Sequence, residues 1–263
     1  MVRVPQETRN RFRTGGLWQA PSVLWCAFWR SVTRAEPVTT LENEEPELLD
    51  RPGLPFSEAR ESLIDLGAVN RWSLGALPLC RTILPRLGRW REPRLALDLG
   101  TGTGEVAATL ARVAARRGSP LRIVGLDAKL RHLVVGRQLG TDQLRVVADA
   151  RALPFRDGAF AWSFSTLFFH HFDAGTNRQI AAEMRRVSTA GAAIVDIRRN
   201  RLAPVLLEIL FFVLRIGYVT RHDGRVSFGR SWKMKDIRRL FADQPVSELK
   251  RRFPFRFSVV LDP

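Results

Sequence analysis

The fold is decided by the stretch LALDLGTGTGEVAATLARVAARR, which runs from Leu95 to Arg117. It opens with alternating apolar residues that end on Asp98, a pattern that predicts a short buried β-strand. Glycine then stands at every second position, at Gly100, Gly102 and Gly104. Apolar residues at helical spacing follow. The stretch therefore predicts a strand, a glycine-rich turn and an amphipathic helix, which together make the first unit of a doubly wound α/β fold.

The glycine-rich turn fits two kinds of cofactor, and the charges around it distinguish them. From Gly102, the letters GTGEVA match the dinucleotide pattern G-x-G-x-x-A, in which a pyrophosphate lies on the helix N-terminus. Asp98 and Glu105 would place two carboxylates beside that pyrophosphate and repel it. They favour instead a ligand with a cationic amino-acid end and no phosphate, such as S-adenosylmethionine.

Three segments in register resemble motifs of the class I S-adenosylmethionine-dependent methyltransferases, over about residues 94–199. DLGTGTGE, from Asp98, is similar to the first motif, which holds the methionine end of the cofactor. The apolar strand LRIVGLD ends on Asp127, where that family keeps an acidic residue for the ribose hydroxyls. RVVADARALPF places Asp149 and Ala150 where the family holds the adenine. The cofactor-binding residues implied by the resemblance are Asp98, Gly100, Gly102, Gly104, Asp127, Asp149 and Ala150.

The order of elements predicts a Rossmann-like, doubly wound α/β sheet with helical insertions. Further strands are expected near Leu121–Asp127, Leu144–Ala148, Phe160–Ser165 and Ala192–Ile197, alternating with helices. Such repeated strand–helix–strand units imply parallel strands, with ligands beyond their carboxyl ends. The resemblance further implies a seven-stranded sheet that finishes with an antiparallel C-terminal hairpin, formed here by ELKRRF and FRFSVVL. The closest general likeness is to small-molecule methyltransferases related to quinone biosynthesis.

The chain is expected to divide into five regions. Residues 1–50 form an N-terminal extension, poorly ordered or a docking helix, in which an arginine-rich start with three tryptophans precedes an acidic run. Residues 51–93 form a helical lead-in or lid, and residues 94–199 form the S-adenosylmethionine-binding core. Residues 200–232 are an insertion over the acceptor pocket. Residues 233–263 supply a C-terminal helix and the hairpin that completes the sheet.

The composition bounds the partners that the chain can have. A net charge of +16 would suit nucleic acid, but only four of the 42 basic residues are lysine and the arginines are dispersed. A GC-rich genome produces the same bias, so binding to nucleic acid is disfavoured. Two cysteines form neither a disulfide framework nor a metal-ligand spacing. The sequence therefore predicts a cytoplasmic protein that needs no metal.

The segment TLFFHHFDAGTN follows the strand near Phe160–Ser165 and is expected to face the transferred methyl group. His170 or His171 could deprotonate a phenolic acceptor, since histidine is the commonest general base near neutral pH. Either ring could equally pack or bond to the backbone. The segment lacks the Asn/Asp-Pro-Pro-aromatic motif and the Pro-Cys nucleophile of nucleic-acid enzymes of this fold, which argues against that substrate class.

The insertion contains RLAPVLLEILFFVLRIG, which predicts a largely apolar helix over Ala203–Ile216. Arg201, Glu208 and Arg215 are spaced by sevens and form one narrow polar stripe, which disfavours a membrane span. The helix is instead expected to cover the acceptor pocket and to govern the choice of acceptor. The residues that follow it could line the same pocket or belong to a surface loop of solvated charges: Tyr218, Arg221, His222 and Asp223.

These patterns predict S-adenosylmethionine-dependent methyl transfer to a small acceptor, aromatic or polyketide-like. The alternatives are a methyltransferase for RNA or protein, which only the charge favours, and a binding protein that keeps the cofactor pocket without turnover. The N-terminal tryptophans leave peripheral contact with a membrane open. The sequence also leaves open the acceptor, the atom that is methylated, the identity of the base and the oligomeric state.

Overall fold

A seven-stranded mixed sheet forms the centre of the computed structural model, which describes residues 46–263. Its strands are β1 (Arg94–Leu99), β2 (Leu121–Asp127), β3 (Leu144–Val147), β4 (Phe160–Thr166), β5 (Ser188–Ile197), β6 (Val246–Arg252) and β7 (Arg256–Leu261). They are ordered β3-β2-β1-β4-β5-β7-β6, with β1 to β5 parallel and β7 antiparallel to both neighbours. The predicted sheet and its C-terminal hairpin are confirmed.

Helices cover the two faces of this sheet. Between residues 46 and 263 they are α1 (Phe56–Trp72), α2 (Ala76–Ile83), α3 (Glu105–Arg116), α4 (Leu130–Gln138), α5 (Ala174–Arg186), α6 (Ala203–Val213), α7 (Tyr218–Gly229) and α8 (Met234–Leu240). Successive residues of β1 point to opposite faces. Leu97 packs in a buried cluster with Ile180 of α5, whereas Ala96 packs in another with Leu110 of α3. The sheet is therefore buried on both sides, as parallel strands require.

The insertion consists of two helices, where the sequence predicts one helix and a loop. α6 ends at Val213, the chain turns at Arg215 with φ +53°, and α7 begins at Tyr218. α7 packs against α6 and α1, and the Ser62 hydroxyl of α1 lies 2.9 Å from the Thr220 hydroxyl of α7. These tertiary contacts support a helix in a segment whose charges and glycines are typical of a loop. In the described part of the chain, no helix has the length and hydrophobicity needed to cross a membrane.

Residues 47–50 pack on the core, although the sequence assigns them to the extension. Leu48–Asp50 form a 3₁₀ turn whose first two N–H groups donate to the Asp223 carboxylate, from Leu48 at 2.7 Å and Leu49 at 2.9 Å. The Leu49 side chain is buried in a cluster with Leu63 of α1. The rest of the predicted extension, residues 1–45, lies outside the described residues.

Candidate functional site

A cavity of about 500 Å³, here called the main cavity, opens at the carboxyl ends of β1, β4 and β5. This is the position that ligands take in doubly wound sheets. Its polar side is formed by Asp98 and the glycine-rich turn, and its apolar side by Leu206, Leu210 and Phe211 of α6. The main cavity can therefore take two ligand groups of unlike polarity side by side.

The turn after β1 is built on left-handed glycines. Gly100, Gly102 and Gly104 have φ values of +66°, +56° and +84°, which residues with side chains rarely adopt. A Cβ added to Gly102 would meet no atom within 4 Å, so this backbone faces open space. A Cβ added to Gly100 would lie 2.3 Å from the Phe168 ring. A ligand can therefore approach bare backbone at Gly102, whereas Phe168 covers Gly100.

Asp98 is a buried carboxylate at the end of β1 that lines the main cavity. Its Oδ2 accepts a hydrogen bond from the Thr101 hydroxyl at 2.6 Å. Burial raises the pKa of Asp98 to about 7, and the negative charge of Asp127 adds to this effect against the Thr101 hydrogen bond. Because burial penalises the ionised form, a cationic ligand group beside Asp98 would offset that penalty.

Asp127 holds the glycine-rich turn from the end of β2. Its Oδ2 accepts a hydrogen bond from the Gly102 N–H at 3.0 Å, and its Oδ1 accepts one from the Lys129 N–H at 2.9 Å. Asp127 is buried and does not line the main cavity. His132 Nδ1 also lies 3.4 Å from Oδ2, so Oδ1 is the oxygen with a second lone pair left to accept a hydrogen bond from a hydroxyl group.

Asp149 and Ala150 follow β3 and also lie outside the lining of the main cavity. Arg151 Nη2 donates to Asp149 Oδ2 at 2.6 Å. Burial acts to raise the pKa of Asp149, but the bonds from Arg151 outweigh burial and hold that pKa below its ordinary value. Ala150 is buried in the core. The structure thus brings Asp98, Gly100 and Gly102 into one cavity and leaves Gly104 and the predicted ribose and adenine residues outside its lining.

His170 lines the main cavity and is held by the buried carboxylate of Asp196 on β5. The His170 N–H donates to Asp196 Oδ2 at 2.8 Å, and its ring Nδ1 lies 2.8 Å from Oδ1. Burial disfavours the charged ring, but the Asp196 carboxylate outweighs burial and raises the pKa of His170. With Nδ1 bonded to Asp196, Nε2 is the atom that can accept a proton. Among the described residues, this buried Nε2 has no hydrogen-bond partner.

Glu47 and His171 complete a cluster around His170. The candidate ligand atoms of these three residues all lie within 4.8 Å of one another, a spacing that a metal ion could bridge. However, Ser227 donates to Glu47 Oε1 at 2.7 Å, and the Arg230 guanidinium lies 4.0 Å from the same oxygen. This nearby cation disfavours a metal ion at that oxygen. Burial and the neighbouring His170 hold the pKa of His171 well below its ordinary value.

Two of these site residues were not identified from the sequence. Glu47 stands in the acidic run of the predicted extension, and nothing local marks it as part of a cavity. Asp196 could have been noticed, because a carboxylate within an apolar strand needs a polar partner. The sequence does not show which residue the fold brings to it. Of the four residues singled out after the apolar helix, only Asp223 lines the main cavity.

A comparison with known protein families identifies the class to which this domain belongs. Residues 97–195 match the family model described as a methyltransferase domain. With the sheet order and the cavity, this match defines the class: the segment is a class I S-adenosylmethionine-dependent methyltransferase domain, and S-adenosylmethionine is its cofactor. Glycine backbone at open space and a buried carboxylate fit the amino-acid end of that cofactor.

Among particular proteins, the chain is similar to demethylmenaquinone methyltransferases. It is 35% identical over 119 residues to that of Thermotoga maritima, covering 45% of each chain. It is 31% identical over 145 residues to that of Thermus thermophilus, covering 54% of this chain and 60% of the relative. The match therefore spans about half the length of these curated relatives.

Solved structures support the fold. An S-adenosylmethionine-dependent methyltransferase from Aquifex aeolicus superposes with a TM-score of 0.50 at 15% identity, covering 74% of this chain and 96% of that one. A protein from Pyrococcus horikoshii OT3 gives a TM-score of 0.51 at 18% identity, covering 74% and 90%. At such identities the likeness is one of fold.

Proposed function

We propose that the protein transfers the methyl group of S-adenosylmethionine to a small aromatic acceptor of the quinol type. The observation that carries this proposal is the single cavity that joins Asp98 and the glycine-rich turn to His170 and to the apolar side chains of α6. Small-molecule sites commonly combine such an apolar lining with a few convergent polar groups. The names of the relatives support a quinone-type acceptor, and a cytoplasmic location remains part of the proposal.

The cofactor would be held by residues from three neighbouring strand ends. Asp98 accepts hydrogen bonds from the ammonium group, and the Gly102 backbone leaves room for the methionine end. Asp127 accepts a ribose hydroxyl with the free lone pair of Oδ1. Asp149 and Ala150 hold the adenine, as the motif implies. When bound, the cofactor supplies an electrophilic methyl group on a positively charged sulfur.

His170 would act as the general base toward the acceptor. Its Nε2 accepts the proton of an acceptor hydroxyl, while Asp196 fixes the ring and stabilises the imidazolium that forms. The raised pKa of His170 makes the ring a stronger base than an isolated histidine. Loss of this proton makes both the acceptor oxygen and the conjugated ring carbons more nucleophilic. This role is therefore compatible with methylation at oxygen or at carbon.

The proposal is tested by a methyl-transfer assay on the full chain with labelled S-adenosylmethionine. We expect label in a naphthohydroquinone with a short apolar tail, and none in RNA or protein. Transfer to RNA with a linear salt dependence would instead support the nucleic-acid alternative. Tight cofactor binding without turnover of any acceptor would indicate a binding protein. NAD bound as tightly as S-adenosylmethionine in calorimetry would overturn the cofactor assignment.

A further inference from the structure

α6 presents an apolar surface to solvent. Phe212 is 77% exposed and Val213 is 67% exposed. We call this surface the apolar ridge, and its members are Leu202, Val205, Ile209, Phe212 and Val213, each more than half exposed. Single exposed apolar residues are ordinary, but a contiguous group on one helix indicates an interaction surface.

The apolar ridge continues into the mouth of the main cavity. Leu206 lies on the same helix, is half exposed and lines the main cavity. Trp72 and Phe253 also line it, and both are about two-thirds exposed. The apolar ridge and the apolar part of the cavity lining therefore meet on α6.

A second cleft, here called the basic cleft, lies where β5 leads into α6. Its lining includes five cations: Arg198, Arg199, Arg201, Lys233 and Arg251. In the part of the chain that the structure describes, none of these five forms an ion pair with a carboxylate. The Nε atom of Arg198 is buried and has no hydrogen-bond partner there. The basic cleft adjoins the apolar ridge, because Leu202 directly follows Arg201.

We propose that the apolar ridge and the basic cleft dock the protein on an anionic lipid bilayer, with the mouth of the main cavity toward the membrane. Interfacial binding combines burial of an apolar helix face with attraction of basic side chains to anionic lipids. Arginine guanidinium groups suit headgroup phosphates, and the net charge of +16 favours approach to such a surface. RNA could occupy the basic cleft but would leave the apolar ridge uncovered.

If the bilayer also delivers the acceptor, that role rests on the proposed function. The docking itself does not depend on it. The test is sedimentation of the full chain with vesicles of phosphatidylcholine alone or mixed with phosphatidylglycerol. We expect binding to the mixed vesicles that weakens with salt. Arg201→Glu with Lys233→Glu should lower the partition coefficient roughly 25-fold or more, at about fivefold for each basic residue lost near an anionic surface. Val205→Ser with Phe212→Ser should lower it at least about tenfold, because buried apolar area is lost.

Matched controls separate docking from general charge or hydrophobicity. Arg112→Glu with Arg116→Glu makes the same change in net charge on exposed positions of α3, and Leu144→Ser removes an exposed apolar residue of β3. Both controls should bind vesicles like wild type. The proposal is overturned if wild type does not bind the mixed vesicles, or if the controls lose vesicle binding as the test variants do. It is also overturned if the ridge variant binds vesicles like wild type while the cleft variant loses binding to RNA.

Two further measurements keep this test independent of the proposed function. Cofactor affinity and turnover of a water-soluble hydroquinone should be unchanged in the ridge and cleft variants, because none of the substituted residues lines the main cavity. Absence of turnover in wild type that still binds vesicles would reject the proposed function and leave the docking intact. Normal turnover by wild type that does not bind vesicles would reject the docking and leave the proposed function intact.

Discussion

A buried carboxylate beside an open cavity carries a free-energy cost that a bound cation can remove. Asp98 is in this situation, since burial raises its pKa to about 7. A carboxyl group whose pKa is raised on folding binds its proton more tightly in the folded protein. Stability from this source is therefore present at low pH and lost as pH rises from about 4 to about 7. The site favours a cationic ligand over a phosphate for the same reason.

We expect the affinity for S-adenosylmethionine to depend on pH through Asp98. Below pH 7 the carboxyl group is increasingly protonated, so the dissociation constant should rise about tenfold for each pH unit lost. Above pH 7 the affinity should be constant. Titration calorimetry at several pH values measures this, and Asp98→Asn should bind weakly with little pH dependence. Constant wild-type affinity between about pH 5.5 and 8.5 would show that Asp98 does not face the ammonium group.

Asp127→Ala is expected to weaken cofactor binding by about 1.5–3 kcal/mol, the scale of a hydrogen bond to a charged group. The same carboxylate also accepts the Gly102 N–H, so alanine would loosen the glycine-rich turn as well. Asp127→Asn keeps an acceptor for that N–H and isolates the loss of charge. Calorimetry should give intermediate affinity for this variant and wild-type affinity for the exposed control Asp142→Asn. An unchanged dissociation constant in Asp127→Ala would remove Asp127 from the site.

His170→Ala should lower kcat by roughly 10²–10⁴-fold, the usual contribution of a general base, with unchanged cofactor affinity. His171→Ala should have a much smaller effect. Asp196→Asn removes the charge that raises the pKa of His170. Because a base works only when deprotonated, the acidic limb of the kcat–pH profile should move to lower pH in this variant. Steady-state kinetics across pH test this, and an unmoved limb would assign that limb to another group.

At the level of elements, α6 places two consecutive phenylalanines in different surroundings. Phe211 is 1% exposed and lines the main cavity, whereas Phe212 is 77% exposed and does not. A helix turns by about 100° per residue, so neighbours face different surroundings. A Cβ added to Gly224 of α7 would lie 2.6 Å from the Phe211 ring, which shows how closely α6 and α7 pack there. The sequence pattern could not indicate which ring faces inward.

Phe211→Ala is expected to cost about 3–5 kcal/mol of stability and to raise KM for a bulky aromatic acceptor. Phe212→Ala, the matched exposed variant, should leave the melting temperature and KM for a soluble acceptor almost unchanged. Leu206→Ala should raise KM with a smaller loss of stability, because its side chain is half exposed. Thermal unfolding and steady-state kinetics distinguish these outcomes. Loss of cofactor binding together with acceptor binding would mean that α6 is purely structural core.

In the whole molecule, residues 47–50 connect the N-terminal part of the described chain to the insertion. Deleting residues 1–50 should leave cofactor binding intact, since every motif lies downstream. It should lower the melting temperature by several degrees, because burial of Leu49 contributes about 1.5–3 kcal/mol. Deleting residues 1–45 is the matched variant, so the difference in melting temperature between the two truncations measures the contribution of residues 46–50. A folded 51–263 fragment that fails to bind cofactor would place residues 47–50 in the cofactor site.

Prediction from sequence worked where the signal is local. The strand, turn and helix around Gly102 are encoded in consecutive residues, so the core of the fold could be inferred. The pairing of Asp196 with His170, and of Glu47 with Ser227, joins residues distant in sequence and leaves no local pattern. The motif located Asp149, but it did not indicate that the side chain of Arg151 already binds the Asp149 carboxylate. That His170 rather than His171 is the buried, carboxylate-held ring likewise depends on tertiary contacts.

The hydrogen bonds from Leu48 and Leu49 to Asp223 span 175 and 174 residues of the chain. A ribosome working at about 5–20 residues per second makes the acceptor roughly 10–35 s after the donors. The segments of β1 to β5 are made within that interval, before the chain has any means of anchoring residues 47–50. The lining residues from Phe253 to Arg256 are made only after Asp223. The growing polypeptide can therefore anchor residues 47–50 once α7 is complete, but it can enclose the main cavity only after the hairpin of β6 and β7 has been made.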